Sequence, residues 1–228
     1  MSRTVSIQEL AIVVVARNHN PTILNPDFLK YNDIVPKEWE LEGPPLCVEP
    51  VSQVKFKNGI SIIAQLNKLI FVEPTDASSP DQAGAPRIAR KYLETLPHVD
   101  YRAIGINIRG HVKLDGEETI RKYLAETLVS PGPWREFGKA PLRAEIKFKY
   151  TLEKCECNLT VEEAPFEASG AKAIPVVAFS ANFHHEVGGN TKEERLSNLY
   201  QIIETWQNDL NTYRELINEK FILKEANG

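Results

Sequence analysis

The residues with the most chemistry in them stand together in the stretch FSANFHHEVGG, where His184, His185 and Glu186 precede the pair Gly188 and Gly189. Imidazoles beside a carboxylate are the groups that ligate a divalent metal or pass a proton, because histidine titrates near neutrality and a carboxylate can orient it. His184, His185 and Glu186 are therefore the candidate catalytic residues. Cys155 and Cys157 form a second group. Together with His184 or His185 they make a donor set of zinc-compatible type, so Cys155, Cys157 and His184 are the candidate metal ligands.

Backbone geometry bears on both ideas. In a strand, successive side chains point to opposite faces, which puts His184 with Glu186 on one face and His185 with Val187 on the other, while Cys155 and Cys157 share a face. A strand thus separates the two histidines unless it bulges or ends there. The bland reading assigns every residue of the stretch a structural role. Val176, Val177 and Phe179 favour extension, Gly188 and Gly189 permit a change of direction, and Asn190 or Thr191 caps a helix, with Glu194 completing a capping box behind Thr191. Elsewhere there is no nucleophile elbow and no phosphate-binding loop, since GINIRG has the wrong spacing for either glycine motif. No cofactor is implied.

The elements that must hold these residues alternate between strand and helix patterns. VSIQELAIVVVAR ends in a β-branched run that predicts a buried strand over about 10–17. The following stretch carries five prolines, yet it also holds Leu24, Phe28, Leu29, Ile34, Val35 and Trp39, so it is read as an ordered wrap against the core. Asn58 and Gly59 between two β-rich runs predict a hairpin with a two-residue type I′ turn, and a reversal at 66–68 extends it to a three-strand meander. Residues 75–86, rich in Ser, Asp, Gly and Pro, read as an exposed, protease-sensitive loop.

Beyond that loop, PRIARKYLETL and GEETIRKYLAETLVS predict two short amphipathic helices on either side of a long strand at 101–112, and their echo raises the question of an internal duplication. A glycine in mid-strand, Gly105, marks a bulge or a close backbone approach. The run around EKCE predicts a second hairpin. From Asn190 onward, Leu196, Leu199, Ile203, Trp206, Leu210, Tyr213, Ile217 and Phe221 recur every three or four residues and predict one long C-terminal helix.

The chain has 228 residues, 42% of them hydrophobic and 25% charged, with a formal net charge of -4, enough to bury a substantial core and too acidic in total to attract phosphate backbones generally. That balance argues against nucleic acid as a partner, although Lys55, Lys57, Arg102, Arg109, Lys113, Lys147 and Lys149 decorate the strands. Three cysteines are too few and too odd in number for a disulfide scaffold, and LAIVVVA is too short to span a bilayer, so a cytoplasmic protein without a membrane segment is expected.

The hairpin before the first helix, the glycine-bearing strand YRAIGINIRG and the terminal helix containing ETWQNDLNTYRELI resemble a family of sporadically distributed bacterial proteins of about this length. That resemblance implies a fold outline over most of the chain and assigns no catalytic residue. The fold expected is α+β: an antiparallel sheet built from hairpins, two short helices and a long C-terminal helix. It forms a single domain over 1–228, with sub-halves 1–115 and 116–228 joined in one sheet. The leading functional expectation is an interaction or assembly protein, with a protein partner or a homo-oligomer. The alternative is a metal-dependent or hydrolytic enzyme working through His184, His185 and Glu186.

Overall fold

The structure, a computed structural model, describes residues 4–75, 80–139, 142–167 and 172–222. Nine strands form one sheet: β1 (Ser6–Arg17), β2 (Leu46–Val48), β3 (Val51–Lys55), β4 (Ser61–Gln65), β5 (Lys68–Pro74), β6 (Asp100–Val112), β7 (Glu145–Thr151), β8 (Glu156–Phe166) and β9 (Ile174–Glu186). Their order is β2-β3-β4-β5-β1-β6-β9-β8-β7, and every neighbouring pair is antiparallel. The α+β expectation holds. No helix among the described residues is long and apolar enough to cross a membrane.

The order of strands reads the same from either end once short β2 is set aside. After β1 the chain passes through α1 (Pro26–Tyr31), lays down the meander β3-β4-β5 and finishes in α2 (Ala85–Thr95). After β6 it passes through α3 (Glu117–Lys122), lays down β7-β8-β9 and finishes in α4 (Lys192–Glu204). In each half the last meander strand returns to pair with the first strand, and the two first strands, β1 and β6, pair across the centre. The molecule is therefore two copies of one topology about a pseudo-twofold axis at the β1–β6 seam. Divided by this repeat of topology, the halves meet between α2 and β6, near 96–99, because β6 is the opening strand of the second half. The similar segments ARKYLETL and RKYLAETL occupy unequal places in this scheme: α2 follows a meander and α3 precedes one, so the counterpart of α2 is α4.

The α-helices among the described residues share one face of the sheet, each contributing to one core. Leu10, Ile12, Val14 and Ala16 of β1 and Ile104, Ile106 and Ile108 of β6 meet Ile88, Ala89, Tyr92 and Leu93 of α2 in a continuous core that also takes in Leu199, Ile203, Leu210 and Tyr213. Burying such side chains contributes about 1.5–3 kcal/mol each, which is what holds helices of only a few turns in place. The proline-rich wrap is packed as expected: Leu24, Leu29 and Ile34 are fully buried, and of its large apolar groups Tyr31 stands out at 87% exposed.

The C-terminal helix is not continuous. α4 ends at Glu204, and α5 (Trp206–Glu215) begins after Thr205, whose φ of -99° and ψ of 17° leave the helical region. The Thr205 hydroxyl donates to Gln201 O at 2.9 Å, the back-bonding that bends helices at threonine. A wider, five-residue-spaced turn over Leu216–Phe221 follows, so the periodic apolar face survives in three segments that wrap the sheet where a straight rod would leave it. Trp206, Tyr213 and Phe221 are buried, Tyr213 and Phe221 against Phe179 of β9.

Two glycines carry local geometry. The β3–β4 hairpin uses a longer turn than predicted: Gly59 has φ of +89°, but Asn58 has no positive φ, and Gly59 N–H donates to Phe56 O at 2.9 Å. This is a turn over Phe56–Gly59 closed by a left-handed glycine. A Cβ on Gly59 would also stand 2.5 Å from Pro74 Cγ. Gly105 marks a close approach, since its register in β6 is unbroken and a Cβ there would come 2.7 Å from Asn182 Nδ2. The bulges lie elsewhere, between Ile7 and Glu9 and between Val15 and Ala16 of β1. Of the loop predicted at 75–86, residues 76–79 lie outside the described residues; the remainder is short, with a 3-10 turn at Pro80–Gln82 and both Pro80 and Ala85 buried.

Candidate functional site

β9 runs through the FSANFHHE stretch and divides it between two faces. His184 pairs in register with Gly105 and Glu156 on the face without helices, and its Nε2 lies 3.1 Å from Glu186 Oε1. His185 points to the helix side, where its Nε2 lies 2.8 Å from Asp209 Oδ2 of α5. The two imidazoles belong to different environments, so His184, His185 and Glu186 do not form one catalytic group. Thr191 caps α4 with the full capping box to Glu194, as the spacing predicts.

The two cysteines go with His185 and not with His184. Cys155 sits in the β7–β8 turn, where Leu152 N–H donates to Cys155 O at 2.9 Å, and Cys157 begins the buried side of β8 opposite Phe183. One ligand atom each from Cys155, His185 and Asp209 lies within 4.8 Å of the others. The candidate ligands Cys155, Cys157 and His184 are not brought together: the sheet stands between His184 and the thiols, because the residue that shares their face is the next one along. Asp209 was missed by sequence reasoning. It lies on the apolar side of α5 within WQNDLNTY, and a carboxylate at 8% exposure among core positions is the signal that helical periodicity offered.

Electrostatics distinguish what this cluster can do. Burial, reinforced by the Asp209 carboxylate, pushes the Cys155 thiol up to about 11, and burial with both neighbours pushes Cys157 up to about 12. A nucleophilic cysteine needs the opposite shift. A surface cavity of about 280 Å³ at the start of β6 and α4 is lined by other residues, among them His98, Arg102, Lys192 and Arg195. Two of its cations are engaged, Arg102 with Asp100 at 2.6 Å and Arg195 with Gly189 O at 3.3 Å.

The helix-free face is a second organised surface, built from five central strands. Register places its side chains in rows that cross the seam. One row runs Lys68, Val15, Ala103, Glu186; the next runs Ile63, Ile70, Val13, Gly105, His184; the third runs Val72, Ala11, Asn107, Asn182; the fourth runs Glu9, Arg109, Ser180. The centre is low and apolar, built from Ala11, Val13, Ala103 and Gly105, with half-buried Ile63, Ile70 and Val72 on one side and the Asn182 to Asn107 side-chain hydrogen bond on the other. Several lysines at its margins are neutralised: Lys55 by Glu42 at 2.6 Å, Lys147 by Glu145 at 2.9 Å and Lys149 by Glu156 at 2.8 Å.

No protein-family model matches the chain, and no curated protein and no solved structure is significantly similar to it.

Proposed function

We propose that the protein is a noncatalytic assembly protein whose helix-free sheet face packs against the same face of a second copy. The observation that carries this reading is the arrangement of charge about the pseudo-twofold seam. Two sheets stacked face to face with a twofold axis along the strands bring β5 of one copy over β9 of the other, and β1 over β6. Lys68 then faces the Glu186 row position, and Glu9 faces that of Arg109. Opposite charges meet at both ends of an apolar strip, and the strip itself is low enough for a second sheet to approach to the usual spacing of about 10 Å. Complementary charge sets register, while the burial of valines and isoleucines supplies the attraction.

The paired lysines and the acidic total favour a protein occupant over a nucleic acid. The alternative of a hydrolytic enzyme has less support: its histidines lie on opposite faces and its thiols are held protonated.

Sedimentation equilibrium across a concentration series tests the reading. A reversible dimer is expected, weakened on the order of tenfold by Val13→Lys at the centre of the strip, since that places an unpaired charge in a closing interface. Lys68→Glu and Glu186→Lys should each weaken the dimer, and combining them should restore it. A monomer at every concentration, or a dimer indifferent to all of these substitutions, overturns the proposal.

A further inference from the structure

The cluster on the opposite face is independent of that interface. Asp209 is a carboxylate on the buried side of a helix, and its hydrogen-bond partner among the described residues is a histidine, with two thiols on the same side of the sheet. No lysine or arginine ion pair to it occurs among the described residues. Carboxylate, imidazole and thiol are the three donor types that zinc-class cations take, and here they come from three separate elements: the β7–β8 turn, the end of β9 and α5.

We infer that Cys155, His185 and Asp209 form a binding site for a single divalent transition-metal ion of zinc type, which fastens α5 to the β8–β9 end of the sheet. Tetrahedral zinc holds nitrogen and oxygen at about 2.0–2.2 Å and sulfur at about 2.3 Å, so its ligand atoms stand about 3.3–3.8 Å apart. The donors already lie within 4.8 Å of one another. The 2.8 Å between His185 Nε2 and Asp209 Oδ2 is a hydrogen-bond distance, which a bound cation replaces by opening the pair through about half an ångström. Rotation of one carboxylate supplies that movement without displacing the helix.

Binding releases protons, because the cation takes the thiolate of Cys155 and the imidazole in its neutral form. It also changes the sense of the local field. A buried carboxylate beside thiols disfavours ionisation of each, and a divalent cation between them favours it. Three protein donors leave a fourth tetrahedral position, which water or Cys157 can complete. Cys157 is not counted among the ligands.

The test uses the full chain, stripped of metal under reducing conditions and titrated with zinc or cobalt(II). One equivalent should bind, and the cobalt form should show a sulfur-to-metal absorption band in the near ultraviolet with visible bands of tetrahedral intensity. Cys155→Ser, His185→Gln and Asp209→Asn should each weaken zinc binding at least tenfold, whereas His184→Gln should leave it unchanged. Alkylation gives a second readout that a loss of fold in the variants does not compromise. In the unaltered protein zinc should slow modification of Cys155 and not that of exposed Cys47, each followed by peptide mass. Failure to bind an equivalent at micromolar zinc overturns the inference. So does binding that survives these substitutions, or equal protection of Cys47 and Cys155.

Discussion

A histidine in this protein acts according to the face on which its strand leaves it. His184 is solvent-facing beside Glu186, His185 is tied to a buried carboxylate, and His19 and His111 are each buried. His19 Nε2 lies 3.1 Å from the Tyr92 hydroxyl, and His111 stacks on Phe166 with ring centroids 4.1 Å apart. Desolvation holds both below the ordinary value of 6.5, opposed at His19 by a hydrogen bond with the Gln65 backbone and aided at His111 by the neighbouring Lys113 charge. A group whose folded-state value is depressed binds fewer protons in the native state than in the unfolded chain over the interval between the two. Stability therefore rises with pH through that interval and falls as pH drops below about 6.5. The carboxylates held low by their cations, Glu40, Asp81 and Glu118, act only below about 4.5. Urea midpoints should decline from about pH 7.5 to about 5.5, and His111→Gln should remove part of that slope. A flat profile over this range would show that neither histidine is buried neutral.

Among the elements, the β3–β4 hairpin is the one whose turn depends on a single residue. Gly59 combines a left-handed φ of +89° with a missing Cβ that would stand 2.5 Å from Pro74, a residue at the far end of β5. Gly59→Val thus meets two penalties, backbone strain and a clash with a ring that cannot swing aside, and should destabilise by about 2 kcal/mol. An unchanged thermal midpoint would contradict the turn geometry. Helix α5 is positioned by a similar close fit on the other side of the sheet. The Tyr213 hydroxyl donates to Phe179 O at 2.9 Å, and the absence of a side chain at Gly110 leaves it room, since a Cβ there would lie 2.8 Å from that oxygen. A bent, three-part C-terminal helix is thus located by particular contacts as well as by apolar periodicity.

At the scale of the whole molecule, the seam between β1 and β6 decides cooperativity. Each half carries its own meander and closing helix, but neither closes its sheet: β1 and β6 are both edge strands until they pair, and α2 meets α4 across the join through the Arg90 to Glu204 ion pair at 2.6 Å and the Arg90 guanidinium over the Tyr200 ring. An unpaired central strand with a hydrophobic face is a site of association. Fragments 1–97 and 98–228, cut beside exposed His98, should therefore copurify when expressed together and recover the far-ultraviolet spectrum of the intact chain. Either fragment folding alone as a stable monomer would show that the seam is dispensable.

Local patterns determined much of this protein. Alternation placed β6 and β9, the capping box placed the start of α4, glycine placed the left-handed residue of the first hairpin, and strand periodicity separated His184 from His185. Each depends on neighbours within a few residues, which is why a sequence can carry it. Tertiary packing decided the rest. The pseudo-twofold arrangement arises from pairing between strands about ninety residues apart, and the helix echo that suggested duplication pointed to unequal positions. The break at Thr205 accompanies the packing of α4 and α5 as two separate segments against the sheet, a demand absent from the helix pattern itself. Cys155, His185 and Asp209 come together because β8, β9 and α5 converge, and no spacing along the chain records that convergence, since separations of 30 and 24 residues are set by how the strands return and not by any local motif.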